Sequence, residues 1–130
     1  MSRLLIVDDA LIMRRLIADV ARGAGWEVAG EAPNGQEAVS QFAALRPDLV
    51  TLDMVMPVMG GLEALRRIRA LDPRARVVMV TAVDQREALM EAIREGALDF
   101  VVKPFERQRI VGVLEKVRAA LTSEADVERR

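Results

Sequence analysis

The sequence predicts an α/β protein: a doubly wound, five-stranded parallel sheet with five helices covering its two faces. Three observations point there. Short apolar runs rich in branched residues alternate with segments of helical period. Those runs are apolar on consecutive residues, as expected of strands buried on both faces. Turn and cap residues stand between the segments.

The first strand is Leu4-Leu5-Ile6-Val7. In the helix after it, Met13, Leu16, Ile17, Val20 and Ala24 fall at i, i+3, i+4, i+7 and i+11, and Gly23 and Gly25 end it. Glu27-Val28-Ala29-Gly30 is the second strand. Asn34 with Glu37 three residues later is a capping-box-like helix start, followed by a brief stripe of Val39, Phe42 and Ala43 that ends near Pro47. The third strand, Leu49-Val50-Thr51-Leu52, precedes a helix with Leu62, Leu65 and Ile68 on one face, closed near Pro73. Val77-Val78-Met79-Val80 leads to a helix with Leu89, Ala92 and Ile93, ended by Gly96. Phe100-Val101-Val102 leads to a last helix with Ile110, Leu114, Val117 and Leu121. Residues 1–121 read as one domain, and the polar residues 122–130 as a charged tail that frays.

Composition narrows the function. With 52% hydrophobic residues, the 130-residue chain has enough apolar surface for a real core. A net charge of −1 provides no basic field for nucleic acid. The chain has no Cys, hence no disulfide framework or thiolate metal site. It has no His, which removes His-based triads, His–metal sites and an internal phosphohistidine. No apolar run reaches the roughly 18–20 residues of a membrane span, and Met1-Ser2-Arg3 does not open a signal peptide. A soluble cytoplasmic protein is expected.

The polar residues that matter stand at strand ends. Asp8 and Asp9 directly follow the first strand, Asp53 the third, Thr81 the fourth and Lys103 the fifth. Open α/β sheets bind ligands outside the carboxyl ends of their strands. Taken singly, an Asp-Asp after a strand is most often a turn or helix cap, and a Lys-Pro a solvated turn. In order, each at a strand's carboxyl end, they form a constellation.

At these residues the sequence resembles the CheY-like receiver family of two-component signalling. The matches are Val7-Asp8-Asp9, Leu52-Asp53 with Met56-Pro57 and Gly60-Gly61, Thr81-Ala82, and Val102-Lys103-Pro104-Phe105, spread over roughly Arg3 to Leu121. The resemblance implies the flavodoxin-like strand order 2-1-3-4-5, which places the first and third strands side by side. Asp8, Asp9 and Asp53 then converge, with Thr81 and Lys103 beside them. Like-charged carboxylates about 4 Å apart repel by about 4 kcal/mol per pair at an effective dielectric near 20. Either one carboxyl keeps its proton or a cation enters. Oxygen-only ligands suit a hard ion such as Mg²⁺, and a carboxylate nucleophile beside it makes an acyl phosphate.

The resemblance also assigns roles. Asp53 would be the phosphoacceptor. Asp9, Asp53 and the Val55 carbonyl would ligate Mg²⁺, and Asp8 would act largely through water. Thr81 and Lys103 would contact the phosphoryl group with the backbone of Val55 and Ala82, and the Lys103–Pro104 peptide would be cis. Thr81 and Phe100 would form the switch; many chemotaxis receivers have Tyr where Phe100 stands. Val55 and Val83 would border the path of the hydrolytic water and set the phosphoryl lifetime. The implied partners are a histidine kinase as phosphodonor, a downstream protein on the helix 4–strand 5–helix 5 face, and a phosphatase. No direct nucleic-acid or membrane partner is expected.

The exposed-looking loop Met54, Val55, Met56, Val58, Met59 reads either as packing on the scaffold or as a docking surface, since Met adapts to varied contacts. Arg66, Arg67 and Arg69 read as a solvated helix face. Four other classes compete. A receiver cut from a DNA-binding regulator would need an effector after Arg130. A receiver cut from a chemotaxis methylesterase shares the look of Leu49 to Ile68 but needs a hydrolase segment. A haloacid-dehalogenase-like phosphatase needs a second Asp two residues after the nucleophile, where Val55 stands. A flavin-binding module needs a hydroxyl- and Gly-rich loop after the first strand, and Asp8-Asp9-Ala10-Leu11 is not that.

Overall fold

Strands and helices alternate along the chain: β1 (Arg3–Val7), α1 (Leu11–Gly23), β2 (Glu27–Ala32), α2 (Gly35–Leu45), β3 (Leu49–Leu52), α3 (Gly61–Leu71), β4 (Val77–Ala82), α4 (Arg86–Arg94), β5 (Asp99–Lys103) and α5 (Arg107–Arg129). The computed structural model describes residues 1–82 and 84–129, with side chains through 124. The strands form one parallel sheet in the order β2-β1-β3-β4-β5, as the sequence predicts. Leu4–Val7 pair in unbroken register with Leu49–Leu52, so β1 and β3 end level. The β1–β2 register shifts between Leu4 and Leu5, which pair with Val28 and Gly30. This irregularity carries β2 on to Ala32, two residues beyond the expected end.

Side chains alternate across the sheet with period two. Leu5, Val7, Val50, Leu52 and Met79 pack with Phe42, Leu65, Ile68 and Leu89, beneath α2, α3 and α4. Leu4, Ile6, Leu49, Val78, Val80 and Val101 pack with Ile17, Val20, Ile110, Leu114 and Val117, beneath α1 and α5. Both faces are covered, so consecutive strand residues are all apolar.

The helix ends follow local rules. The Glu37 N–H donates to Asn34 Oδ1 at 2.9 Å, and Asn34 Nδ2 donates back to Glu37 Oε2 at 3.1 Å. α1 closes in a Schellman turn: Gly25 has φ +85, its N–H bonds Arg22 O, and Trp26 N–H bonds Ala21 O. α4 closes the same way through Gly96, φ +103, with Gly96 N–H to Ile93 O and Ala97 N–H to Ala92 O.

Some expectations shift. In α1 the buried residues are Ile17, Ala18, Val20 and Ala21, while Leu16 is 39% exposed. Ala43 and Ile93 also face out, with Ala38 inward in α2 and Ala92 inward in α4 as expected. Residues 122–129, expected as a charged tail, lie in the last turns of α5, which continues to Arg129. No Gly or Pro interrupts residues 122–129, and Glu124 pairs with Arg76 at the start of β4. Among the described residues no helix is long and apolar enough to cross a membrane.

Candidate functional site

The level carboxyl ends of β1 and β3 bring the acidic residues together. Asp8 N–H bonds Ala32 O at 3.1 Å and Asp53 N–H bonds Val7 O at 3.0 Å, so strand-like pairing extends just past the strands and aims both residues upward. One carboxylate oxygen from each of Asp8, Asp9 and Asp53 falls within 4.8 Å of the others. Asp8 is 1% exposed and Asp53 7%, while Asp9 stands at the mouth. An all-oxygen set of this size fits a hard divalent cation such as Mg²⁺.

Lys103, the last residue of β5, reaches across the sheet end. Its Nζ donates to Asp8 Oδ2 at 2.6 Å and lies 3.3 Å from Asp53 Oδ2. Met54 N–H donates to Asp53 Oδ1 at 2.8 Å, and Ala10 N–H to Asp8 Oδ1 at 2.9 Å. The Asp53 carboxyl is held above its ordinary value, chiefly by burial and next by the charge of Asp8; Lys103 and the Met54 N–H pull it down without prevailing. For Lys103, burial opposes the charge, yet the hydrogen bond to Asp8 and the charges of Asp53 and Asp8 outweigh it and hold the ammonium above its ordinary value.

Thr81, on β4, is 1% exposed, and its Oγ1 has no hydrogen-bond partner among the described residues. Such a donor is costly unless something accepts from it. Ala82 ends β4 at the surface. The Lys103–Pro104 peptide is cis, as the resemblance implies. Val83 lies outside the described residues.

The apolar loop after Asp53 divides between its two readings. Met54 and Met59 are buried against the α2–α3–α4 core with Met56 packed beside them, while Val55 is 60% and Val58 76% exposed. Phe100 is 37% exposed, on the edge strand, away from the carboxylates in the sheet order. It lines a surface pocket of about 600 Å³ with Ala82, Leu89, Met90, Ile93 and Val102, flanked by Arg86 and Arg94. On α3, Arg67 pairs with Glu63, whereas Arg66 reaches across to Glu91 of α4 and Glu95 just after it, and Arg69 donates to Ala75 O. The solvated-face reading thus describes Arg66 and Arg67, which are exposed, and not Arg69, which is half-buried.

Three supporting residues were not legible as such. Arg14 Nη1 donates to the Asp8 carbonyl at 2.8 Å. Gly35 N–H donates to Met59 O at 2.8 Å, and a Cβ on Gly35 would stand 2.6 Å from that oxygen. A Cβ on Gly61 would overlap the Asp53 carbonyl. The Gly60-Gly61 pair was the available signal for the last, but which backbone it touches depends on the tertiary approach of α3.

Comparison with known proteins agrees with this geometry. The model of the response regulator receiver domain family matches residues 4–115. The chemotaxis protein CheY of Thermotoga maritima is 49% identical over 116 residues, spanning 89% of this chain and 97% of that protein. The response regulator domain of Thermotoga maritima CheB superposes with a TM-score of 0.83 at 36% identity, covering 94% of this chain and 97% of that one. A chain of the CheX-CheY-BeF₃-Mg²⁺ complex from Borrelia burgdorferi superposes with a TM-score of 0.83 at 31% identity, covering 92% and 89%. With the matched model, the strand order and the strand-end carboxylates in agreement, this chain belongs to the response regulator receiver domain family.

Proposed function

We propose that this protein is a chemotaxis-type response regulator of the cytoplasm that accepts a phosphoryl group on Asp53 from a histidine kinase phosphohistidine, with Mg²⁺ as cofactor. The observation that carries the reading is the placement of Asp53, a buried carboxylate that shares its pocket with Asp8, Asp9 and Lys103. The CheY relative at 49% identity, matched over 97% of its length, favours this role over a receiver from a larger regulator.

The chemistry follows from the groups present. An Asp53 oxygen attacks phosphorus, a P–O bond forms, and the P–N bond of the donor breaks. The imidazole leaves with the bonding pair and is protonated from solvent. Mg²⁺, held by Asp9, Asp53 and the Val55 carbonyl with Asp8 acting through water, would neutralise the carboxylates and the incoming phosphoryl oxygens. Lys103 is poised to shift from Asp8 onto a phosphoryl oxygen. The Thr81 hydroxyl, which has no partner among the described residues, would donate to a second, and the backbone of Val55 and Ala82 would meet the others.

Incubation with Mg²⁺ and acetyl phosphate should add one phosphoryl group to the wild type and none to Asp53→Asn, read by intact mass. Equal labelling of both would refute the assignment. For output, Thr81 drawn onto the phosphoryl group would vacate space near β5, and Phe100, paired with Met79 in the sheet, would follow. The α4–β5–α5 face would then be read by shape, since Phe has no hydroxyl. A Phe100→Leu variant that still bound its target with full, phosphorylation-dependent affinity would remove that role.

A further inference from the structure

Asp9 is the exposed member of the acidic cluster, and among the described residues no hydrogen bond reaches its carboxylate. Its direction therefore depends on the backbone that carries it. The peptide between Asp8 and Asp9 presents its carbonyl to Arg14, whose Nη1 donates to Asp8 O at 2.8 Å. Arg14 is itself anchored: its Nε lies 3.3 Å from Glu31 Oε1 at the end of β2, and its side chain is only 15% exposed. Glu31 is fixed in turn through its own backbone, which accepts from Gln41 Nε2 at 2.7 Å. A chain of contacts thus runs from α2 through β2 and Arg14 to the acidic loop.

We propose that Arg14, held by Glu31, is a positioning residue for the cation site: it orients the Asp8–Asp9 peptide and so sets the affinity of the Asp8–Asp9–Asp53 pocket for a divalent cation. This rests on the reading of that pocket as a cation site. Arginine suits the task because its planar fork holds two partners at once, which a lysine ammonium on a flexible stem does less well. Groups that orient metal ligands from behind typically change affinity about 10–100-fold when lost.

Charge alone makes a different forecast. Removing the Arg14 cation would tighten cation binding, and removing the Glu31 anion would weaken it. Positioning makes both losses weaken it, so the sign at Arg14 separates the two. The experiment is calorimetric titration of Mg²⁺ into the wild type, Arg14→Gln, Arg14→Lys, Glu31→Gln and Asp9→Ala, with melting curves in chelator.

Arg14→Gln and Glu31→Gln are expected to weaken Mg²⁺ binding, Arg14→Gln by about tenfold, with Arg14→Lys between it and wild type. Melting points in chelator should change far less than affinity does. Unchanged or tighter binding by Arg14→Gln would overturn the inference while leaving the site intact, provided Asp9→Ala still loses Mg²⁺. Equal titration of wild type and Asp9→Ala would instead overturn the cation site, and this inference with it. If Arg14→Gln fails to fold, Arg14→Lys decides the matter: it keeps the charge, so weaker Mg²⁺ binding than wild type supports positioning and unchanged binding overturns it.

Discussion

Lys103 Nζ stands 2.6 Å from Asp8 Oδ2, and this contact joins the end of β5 to the end of β1 across two intervening strands. Asp53 Oδ2 is farther from the same ammonium, at 3.3 Å. Without Lys103, the 1%-exposed Asp8 carboxylate would have no ion-pair partner among the described residues. Breaking a buried pair costs about 3–5 kcal/mol, and the 20% exposure of Lys103 places this one at or below the lower end. Lys103→Met is therefore expected to unfold at clearly lower urea concentration than wild type at pH 7 in chelator. The wild-type contribution should persist below the ordinary lysine value of 10.5 and disappear as pH rises through the higher folded value. A midpoint unchanged at pH 7 would show that the contact contributes nothing.

Asp53 gives the opposite dependence. Its folded carboxyl holds a proton more tightly than the ordinary value of 3.8. As pH rises from there through the folded value, the unfolded chain releases its proton first, and stability is lost. Asp53→Asn removes that loss. In chelator at pH 7 the variant should melt above wild type, and the difference should vanish below pH 3.8. Mg²⁺ should narrow the gap by stabilising wild type alone. A variant that melts below wild type at pH 7 would reverse the sign of the argument.

Thr51 is buried in β3 between Ile6 and Val78, and its hydroxyl has no hydrogen-bond partner among the described residues. Thr51→Val keeps the shape and removes a hydroxyl whose unsatisfied burial costs about 1–3 kcal/mol. A gain of about 1 kcal/mol is expected, roughly 4 °C in melting temperature for a domain of this size. Phosphorylation by acetyl phosphate should stay at the wild-type rate. A lower melting temperature would mean that the hydroxyl has a partner in solution.

Val58 has φ +67, and Met59 N–H bonds Pro57 O at 2.7 Å across it, a γ-turn of the strained, positive-φ kind. An L-residue there costs about 1–2 kcal/mol, and β-branching makes it worse. At 76% exposure, Val58 gains little from packing in return. Val58→Asn should raise the urea midpoint, by about 1 kcal/mol of stability, with an unchanged slope. No gain would show that the valine is not strained in solution.

The phosphoryl lifetime depends on the water that would attack behind phosphorus. Val55, two residues after Asp53, is 60% exposed and its side chain cannot hydrogen-bond that water; Val55 and Val83 are proposed to border its path. Losing one good hydrogen bond of about 1–1.5 kcal/mol corresponds to roughly a tenfold rate change. Phospho-Asp53 should therefore be long-lived, and a Val55→Asn, Val83→Glu double variant should lose phosphate about tenfold faster at the same Mg²⁺. A variant no faster than wild type would show that these positions do not set the clock.

The sequence by itself determined the element order and which residues stand at strand ends. The apolar runs, the Asn34–Glu37 cap and the glycines after α1 and α4 act over a few residues, so local physics suffices to read them. Asp8, Asp9, Asp53, Thr81 and Lys103 were legible for the same reason, because each lies within two residues of a strand's carboxyl end. The tertiary structure alone decided what depends on distance across the chain. Lys103 settles closer to Asp8, 95 residues away, than to Asp53, and Arg14 turns inward to the Asp8 carbonyl instead of outward to water. The way α1 and α4 lie on the sheet chose Ala18 for burial over Leu16 and left Ile93 outside. Hydrophobic pattern ranks side chains by type, but burial is settled by the space between packed elements. That space exists only once the sheet has closed against its helices.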